Sequence, residues 1–193
     1  MYIPNAFREE DIDKLVAFMR ANSFATFISV KDGIPVASHI PLVVTLQDNI
    51  VKLTSHLAKE NTQWQYFEEN ESLAVFTGPH AYISPAAYEK AENVPTWNYI
   101  AVHAYGKPRI ITLDDSPELM DMMIAQMIDT YGSDYKSQWH RLSDRYREGM
   151  MQGIVGFEMT VTRLQGKFDT PRFKKTGILG SQIELSSTGL LQY

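Results

Sequence analysis

Trp97, Asn98, Tyr99 and His103 fall on one short stretch that begins at the turn-forming Pro95 and continues with the alternation of a β-strand. A core strand has little use for that mixture, because each buried amide, imidazole or phenol must find a partner. A strand that lines a pocket for a planar, polar ligand does need it. Upstream, Thr54, Ser55, His56, Lys59 and Asn61 bring hydroxyls, an imidazole, an ammonium and an amide to one junction between a strand and a short helix. Phosphate oxygens are held by such charge-assisted donors together with free backbone N–H groups. Taken alone the junction also reads as an ordinary solvated turn. Together the two stretches point to an anionic ligand with a flat ring.

Ser38-His39-Ile40-Pro41 is a third such stretch. If its strand lies beside that of Trp97–Tyr99, His39 and Asn98 read the edge of the ring, while Trp97 or Tyr99 stacks on its face. The alternative for His39 is a satisfied core or interface histidine. The histidines at 39, 56, 80, 103 and 140 show no zinc or metalloprotease spacing, and no Asp or Glu accompanies them in those strands, which argues against a metal. No side chain stands out as a catalytic acid or base. Arg141, Arg145 and Arg147, with Lys167, Arg172, Lys174 and Lys175, form a basic group on an acidic chain. Asp144 and Glu148 interleave with the arginines, as on a solvated, ion-paired face. There is no helix-turn-helix, nucleophile elbow, Walker loop or G-x-G-x-x-G, so direct DNA contact is disfavoured.

The elements that must position these groups follow from periodicity. Residues 9–22 read as an amphipathic helix. Strands follow at 24–30, 34–45 and 50–56, joined by Lys31-Asp32-Gly33 and Gln47-Asp48-Asn49 turns, as in an antiparallel meander. A short helix at 60–68 leads to a strand at 73–77 and a loop at 78–88 containing two prolines. The Trp97 strand runs to about Thr112, with Pro108 implying an edge or bulge. Ser116-Pro117 opens a helix whose Leu119, Met120, Met123, Ile124, Met127, Ile128 and Tyr131 form an apolar stripe read as core packing. A polar helix at 134–151 precedes a strand at 153–164. These elements give an antiparallel barrel with helices packed outside it.

At 193 residues, with 44% hydrophobic and 21% charged residues, the chain reads as one globular domain. The absence of cysteine removes disulfides and thiol chemistry and fits a reducing cytoplasm. No signal peptide or membrane-spanning run is recognisable. A net charge of −5 does not suit a surface built for nucleic acid.

These stretches, with Met1-Tyr2-Ile3-Pro4, Phe7, Trp64, residues 76–85, Val94–Gly106 and residues 153–158, occur in an order that resembles the PaiB-type FMN-binding family. Its members are described as negative transcriptional regulators within the split-barrel flavoproteins, which include pyridoxamine-phosphate oxidases and flavin reductases. The resemblance implies an α+β, mainly β fold: an antiparallel FMN-binding split barrel with peripheral helices, residues 1–193 forming one domain and 177–193 a peripheral tail. It implies a homodimer with FMN between subunits, Ser55, Lys59 and Asn61 as phosphate and ribityl ligands, and His39, Trp97, Asn98 and Tyr99 near the ring or the dimer cleft. The expected activity is that of a flavin-reductase-like oxidoreductase taking NAD(P)H or free flavin. Alternatives are a PaiB-like regulator, acting directly or through a partner, and a haem-binding split barrel. Asp169-Thr170-Pro171-Arg172-Phe173 departs from the family's polar continuation after Gly166-Lys167-Phe168.

Overall fold

The chain starts with a two-residue strand, β1 (Arg8–Glu9), and a helix, α1 (Ile12–Ala21), in a computed structural model that describes residues 1–87 and 92–169. Asp11 caps α1 by accepting from the N–H groups of Asp13 and Lys14. The helix buries Leu15, Val16 and Met19. β2 (Phe24–Lys31) turns into β3 (Ile34–Pro41) through Asp32 and Gly33, both at positive φ (50° and 79°). β4 (Val43–Gln47) turns into β5 (Ile50–Ala58) through Asp48 and Asn49, at 51° and 61°. Such primed turns match the twist of the strands they join.

The single strand expected over 34–45 is therefore two. The chain breaks at Leu42, which is fully buried and donates its N–H to Ser23 O (2.9 Å). β3 and β4 then lie at opposite ends of one antiparallel sheet ordered β3-β2-β6-β7-β8-β5-β4, with β1 on β8. The expected meander is in fact two hairpins on either side of a split.

β6 (Ser72–Ile83) runs well past the strand expected at 73–77, because a register shift between Thr77 and His80 absorbs Pro79. β7 (Thr96–Ile111) pairs with β6 only as far as Gly106. Beyond it β7 is an edge bonded to β8 alone, which is why Pro108 costs no ladder bond. α2 (Pro117–Tyr131) starts as expected, but the polar helix is interrupted. α3 (Lys136–Trp139) and α4 (Asp144–Gln152) are separated where Ser143 caps the latter by accepting from Tyr146 N–H. β8 (Ile154–Phe168) closes the sheet. The remaining tail, 170–193, and Tyr88 lie outside the described residues.

The barrel interior packs Phe27, Phe67 and Phe157 against one another at centroid distances of 4.9–5.4 Å. A second, smaller core holds Ile111, Met120, Met123 and Met151. The α2 stripe supplies this core as expected, with Leu119, Ile124 and Met127 packed against it, and Ile124, Met127, Ile128 and Tyr131 also line an open cavity.

Candidate functional site at the barrel seam

β3 and β5 face each other across the split, held by side chains instead of a ladder. Ser55 is fully buried and points inward between Leu53 and Leu57. Its hydroxyl donates to Pro41 O at 2.6 Å. Asn61 Nδ2 donates to Ser38 Oγ (2.9 Å), Asn61 Oδ1 accepts from Gln63 N–H (3.1 Å), and Ser38 Oγ donates to Gln63 Oε1 (2.6 Å). Gln63 is buried and its Nε2 reaches Phe27 O, Ser29 Oγ and Val36 O. The turn after β5 is thereby tied to the middle of the β2–β3 hairpin. The helix expected at 60–68 is a five-residue 3-10 turn, Thr62–Tyr66, that carries this amide inward.

The Ser38–Pro41 and Thr54–Asn61 stretches therefore meet at this seam. Lys59 is exposed and has no ion pair among the described residues. Its backbone is fixed at both ends: Lys59 N–H donates to Gly153 O (2.9 Å), and Lys59 O accepts from Trp64 Nε1 (3.0 Å). The N–H groups of Glu60 and Thr62 meet no protein acceptor among the described residues. His39 is exposed on the outer face, with Nδ1 3.1 Å from Thr26 Oγ1.

The other expected site residues have these places in the fold. The Ser55 hydroxyl fastens the seam through Pro41 O. Asn61 spends its amide on Ser38 and Gln63. Thr54 is buried, held in register between Val43 and Glu158. His56 is half-buried on the other flank, Nδ1 3.3 Å from Met127 Sδ, at a cavity of about 630 Å3. The strand of Trp97–Tyr99 does not neighbour β3, since β2 and β6 intervene. Trp97 is 59% exposed and packs edge-on against Tyr82. Asn98 pairs with Ala81. The Tyr99 ring lies under a buried cation: Lys167 Nζ is 3.7 Å from its centroid and 3.6 Å from Asp169 Oδ2. Sequence reasoning missed Gln63 and the Lys167–Tyr99 contact, and neither carries a motif.

His39, Thr26, Val75, His103 and Gln165 are successive ladder partners, a straight row over the outer face of β3, β2, β6, β7 and β8. His103 Nδ1 is buried in this row with no hydrogen-bond partner.

Residues 1–163 match the family model described as "Putative FMN-binding domain". The chain belongs to this FMN-binding family. Protease synthase and sporulation protein PAI 2 of Bacillus subtilis is 38% identical over 169 residues, covering 87% of this chain and 80% of the relative. Among solved structures, the flavocytochrome Anf3 from Azotobacter vinelandii superposes with a TM-score of 0.64 at 13% identity, covering 95% of this chain and 87% of that one. The FAD and heme binding protein from Mycobacterium smegmatis gives 0.60 at 16% identity, covering 84% and 73%. The fold is the split barrel of these flavoproteins. The seam suits the family's cofactor at its anionic end: an unpaired ammonium beside two unpaired backbone donors is the donor set a phosphate needs. Among the described residues no group of His, Asp or Glu side chains is arranged to hold a metal, and no helix is long and apolar enough to cross a membrane.

Burial lowers the pKa of His56 below 6.5, and burial with a smaller contribution from the N-terminal ammonium lowers that of His103. In the unfolded chain both take up protons near pH 6.5, whereas the folded chain stays neutral to lower pH. The folded state therefore keeps its full stability above pH 6.5 and loses it as the pH falls towards the folded values. Urea midpoints are expected to drop from pH 7.5 to 5.0, less so in His56→Gln. A midpoint that rises on acidification contradicts this.

Proposed function

We propose that the protein is an FMN-dependent oxidoreductase of the flavin-reductase type, a single domain working as a homodimer in the cytoplasm. FMN, once bound, supplies the hydride and electron transfer; the chain holds it and controls its surroundings. Lys59 neutralises the phosphate, and the N–H groups of Glu60 and Thr62 donate to its oxygens. His39, its Nδ1 engaged by Thr26, turns Nε2 to the ring edge. Asn61 is a positioning residue that keeps the turn against β3. Trp97, Asn98 and Tyr99 close the cleft from the second protomer. The observation that carries this reading is the Asn61–Ser38 hydrogen bond, which sets an unpaired cation beside the strand of His39.

The outer face supports the homodimer. His103 Nδ1 lacks a partner there among the described residues, and Phe24, on the face of Thr26 and His39, is 69% exposed. A second copy covers such a surface economically. NAD(P)H is the electron donor in this reading, with free flavin able to exchange. A charge-assisted hydrogen bond contributes roughly 1.5–3 kcal/mol, so Lys59→Ala should weaken FMN binding by about tenfold or more. Flavin-fluorescence titration measures it, and NAD(P)H oxidation at subsaturating FMN should fall in step. Wild-type affinity in the variant rules the reading out.

The PAI 2 relative favours a second reading, since its name ties it to protease synthesis and sporulation. In that reading the flavin-loaded dimer acts on gene expression through a partner. NAD(P)H turnover absent from FMN-saturated protein, with a partner captured only in the flavin-bound state, selects it. A Soret band in purified protein selects haem instead.

A further inference from the structure

α2, α3 and α4 close over β5 and the start of β8, on the flank of the seam away from His39. They leave there the cavity of about 630 Å3 that reaches Pro41 and His56. Small-molecule sites commonly span about 300–1,000 Å3. We propose that this cavity binds an uncharged, planar aromatic molecule bearing a carbonyl acceptor, of the quinone type, as a second ligand beside the flavin. Its place next to the cofactor rests on the flavin reading above; its chemistry does not.

No lining residue carries a charged side chain other than through protonation of His56. The wall offers an ionised ligand no counter-charge for the hydration it loses on contact, which favours a neutral ligand. Much of the wall is Met127, Met150, Met151, Ile124, Ile128 and Ile154. Thioethers adapt their shape and make favourable contacts with aromatic rings, which suits a flat occupant. Tyr131 is already committed, its hydroxyl donating to Leu42 O at 2.9 Å. Tyr135 and Trp139 also belong to the lining, and the hydroxyl of the one and the indole N–H of the other pair with no protein atom among the described residues. His56 meets only the weak Met127 sulfur, at 3.3 Å. Burial keeps this imidazole neutral, so one ring nitrogen donates and the other accepts. The Tyr135 hydroxyl, the Trp139 indole N–H and His56 thus offer donors beside an apolar wall, and a carbonyl-bearing ring satisfies them.

The neighbouring cavity of about 460 Å3 differs in kind. It is lined by charges of both signs, including Asp144 and Arg147, which pair with each other, and Lys136, which pairs with Asp129. Those groups need no ligand.

The test is equilibrium binding of 1,4-naphthoquinone to the full chain, with and without FMN. The chain has no cysteine for the quinone to alkylate. Naphthalene and 1,4-naphthoquinone-2-sulfonate serve as the carbonyl-free and charged comparisons. The expected order is naphthoquinone tightest, with naphthalene and the sulfonate each about tenfold weaker. Met150 is 54% exposed at the cavity. Met150→Glu should weaken naphthoquinone at least tenfold with FMN affinity unchanged, and His56→Leu should weaken naphthoquinone but not naphthalene. Sulfonate binding as tight as the parent, indifference to Met150→Glu, or one-for-one displacement of naphthoquinone by FMN overturns the proposal. Naphthoquinone binding that persists in protein unable to take up FMN upholds it and sinks the flavin reading alone.

Discussion

Replacing Gln63 with leucine is expected to cost the folded state about 3 kcal/mol. Leucine nearly fills the same space, so the loss is one of hydrogen bonding and not of volume. The amide accepts from Ser38 Oγ and donates to Phe27 O, Val36 O and Ser29 Oγ, all within a buried or part-buried setting. Leaving a buried polar atom unpaired costs about 1–3 kcal/mol, and here several are left together. Ser29 retains its contact with Ser72 Oγ at 3.1 Å, which limits the damage. For a chain of this length the change corresponds to a melting temperature lower by about 6–12 °C. Ser38→Ala, which removes one of these bonds and the bond from Asn61, should cost about 1–2 kcal/mol. FMN affinity should fall as well in Gln63→Leu, because Ser38, which holds Asn61 Nδ2, loses its acceptor, although the main-chain N–H of residue 63 still reaches Asn61 Oδ1. A loss below about 1 kcal/mol by urea titration would mean that the network contributes little.

Gly106→Ala should destabilise by about 3 kcal/mol, by overpacking and not by backbone strain. Gly106 sits where β7 changes register against β8. A Cβ there would stand 2.3 Å from Thr160 O and 2.8 Å from Met159 Cγ. The first contact is with main chain in the neighbouring strand, so relief requires β7 and β8 to part. Gly149→Ala is the informative control. It lies within α4, nothing approaches its Cβ position within 4 Å, and the substitution should stabilise by about 0.5–1 kcal/mol. Equal effects from the two substitutions would refute the packing argument.

Local signals made much of the fold legible. Asp-Gly and Asp-Asn turns, the Ser116-Pro117 helix start and the alternation of Val155, Phe157 and Met159 each specify structure within a few residues, and each appears where expected. The break at Leu42 was not legible, because an apolar residue between strand-forming segments reads as more strand. Only the distant N–H acceptor at Ser23 and the burial of Leu42 reveal the crossing. Pro79 misled in the opposite sense: it signals a loop, yet a register shift carries the strand past it. At the site, residue types alone do not separate Lys59 and His39, whose side chains are exposed, from Ser55 and Asn61, whose polar groups bond to the neighbouring strand. A hydroxyl or amide aimed at an anion and one aimed at a neighbouring strand look alike in sequence. The separation of His39 from Asn98 is a matter of strand order, which no local pattern encodes.

The two outermost strands, β3 and β4, carry a consequence for how the molecule behaves in a crowd. A bare sheet border is a template on which another chain can add a strand, and from which aggregates grow. Here side chains take one carbonyl on each border and the one between them: Val36 O by Gln63, Val44 O by Arg20 and Leu42 O by Tyr131. The groups that brace the split thus also interrupt the run of acceptors that an added strand would have to pair with.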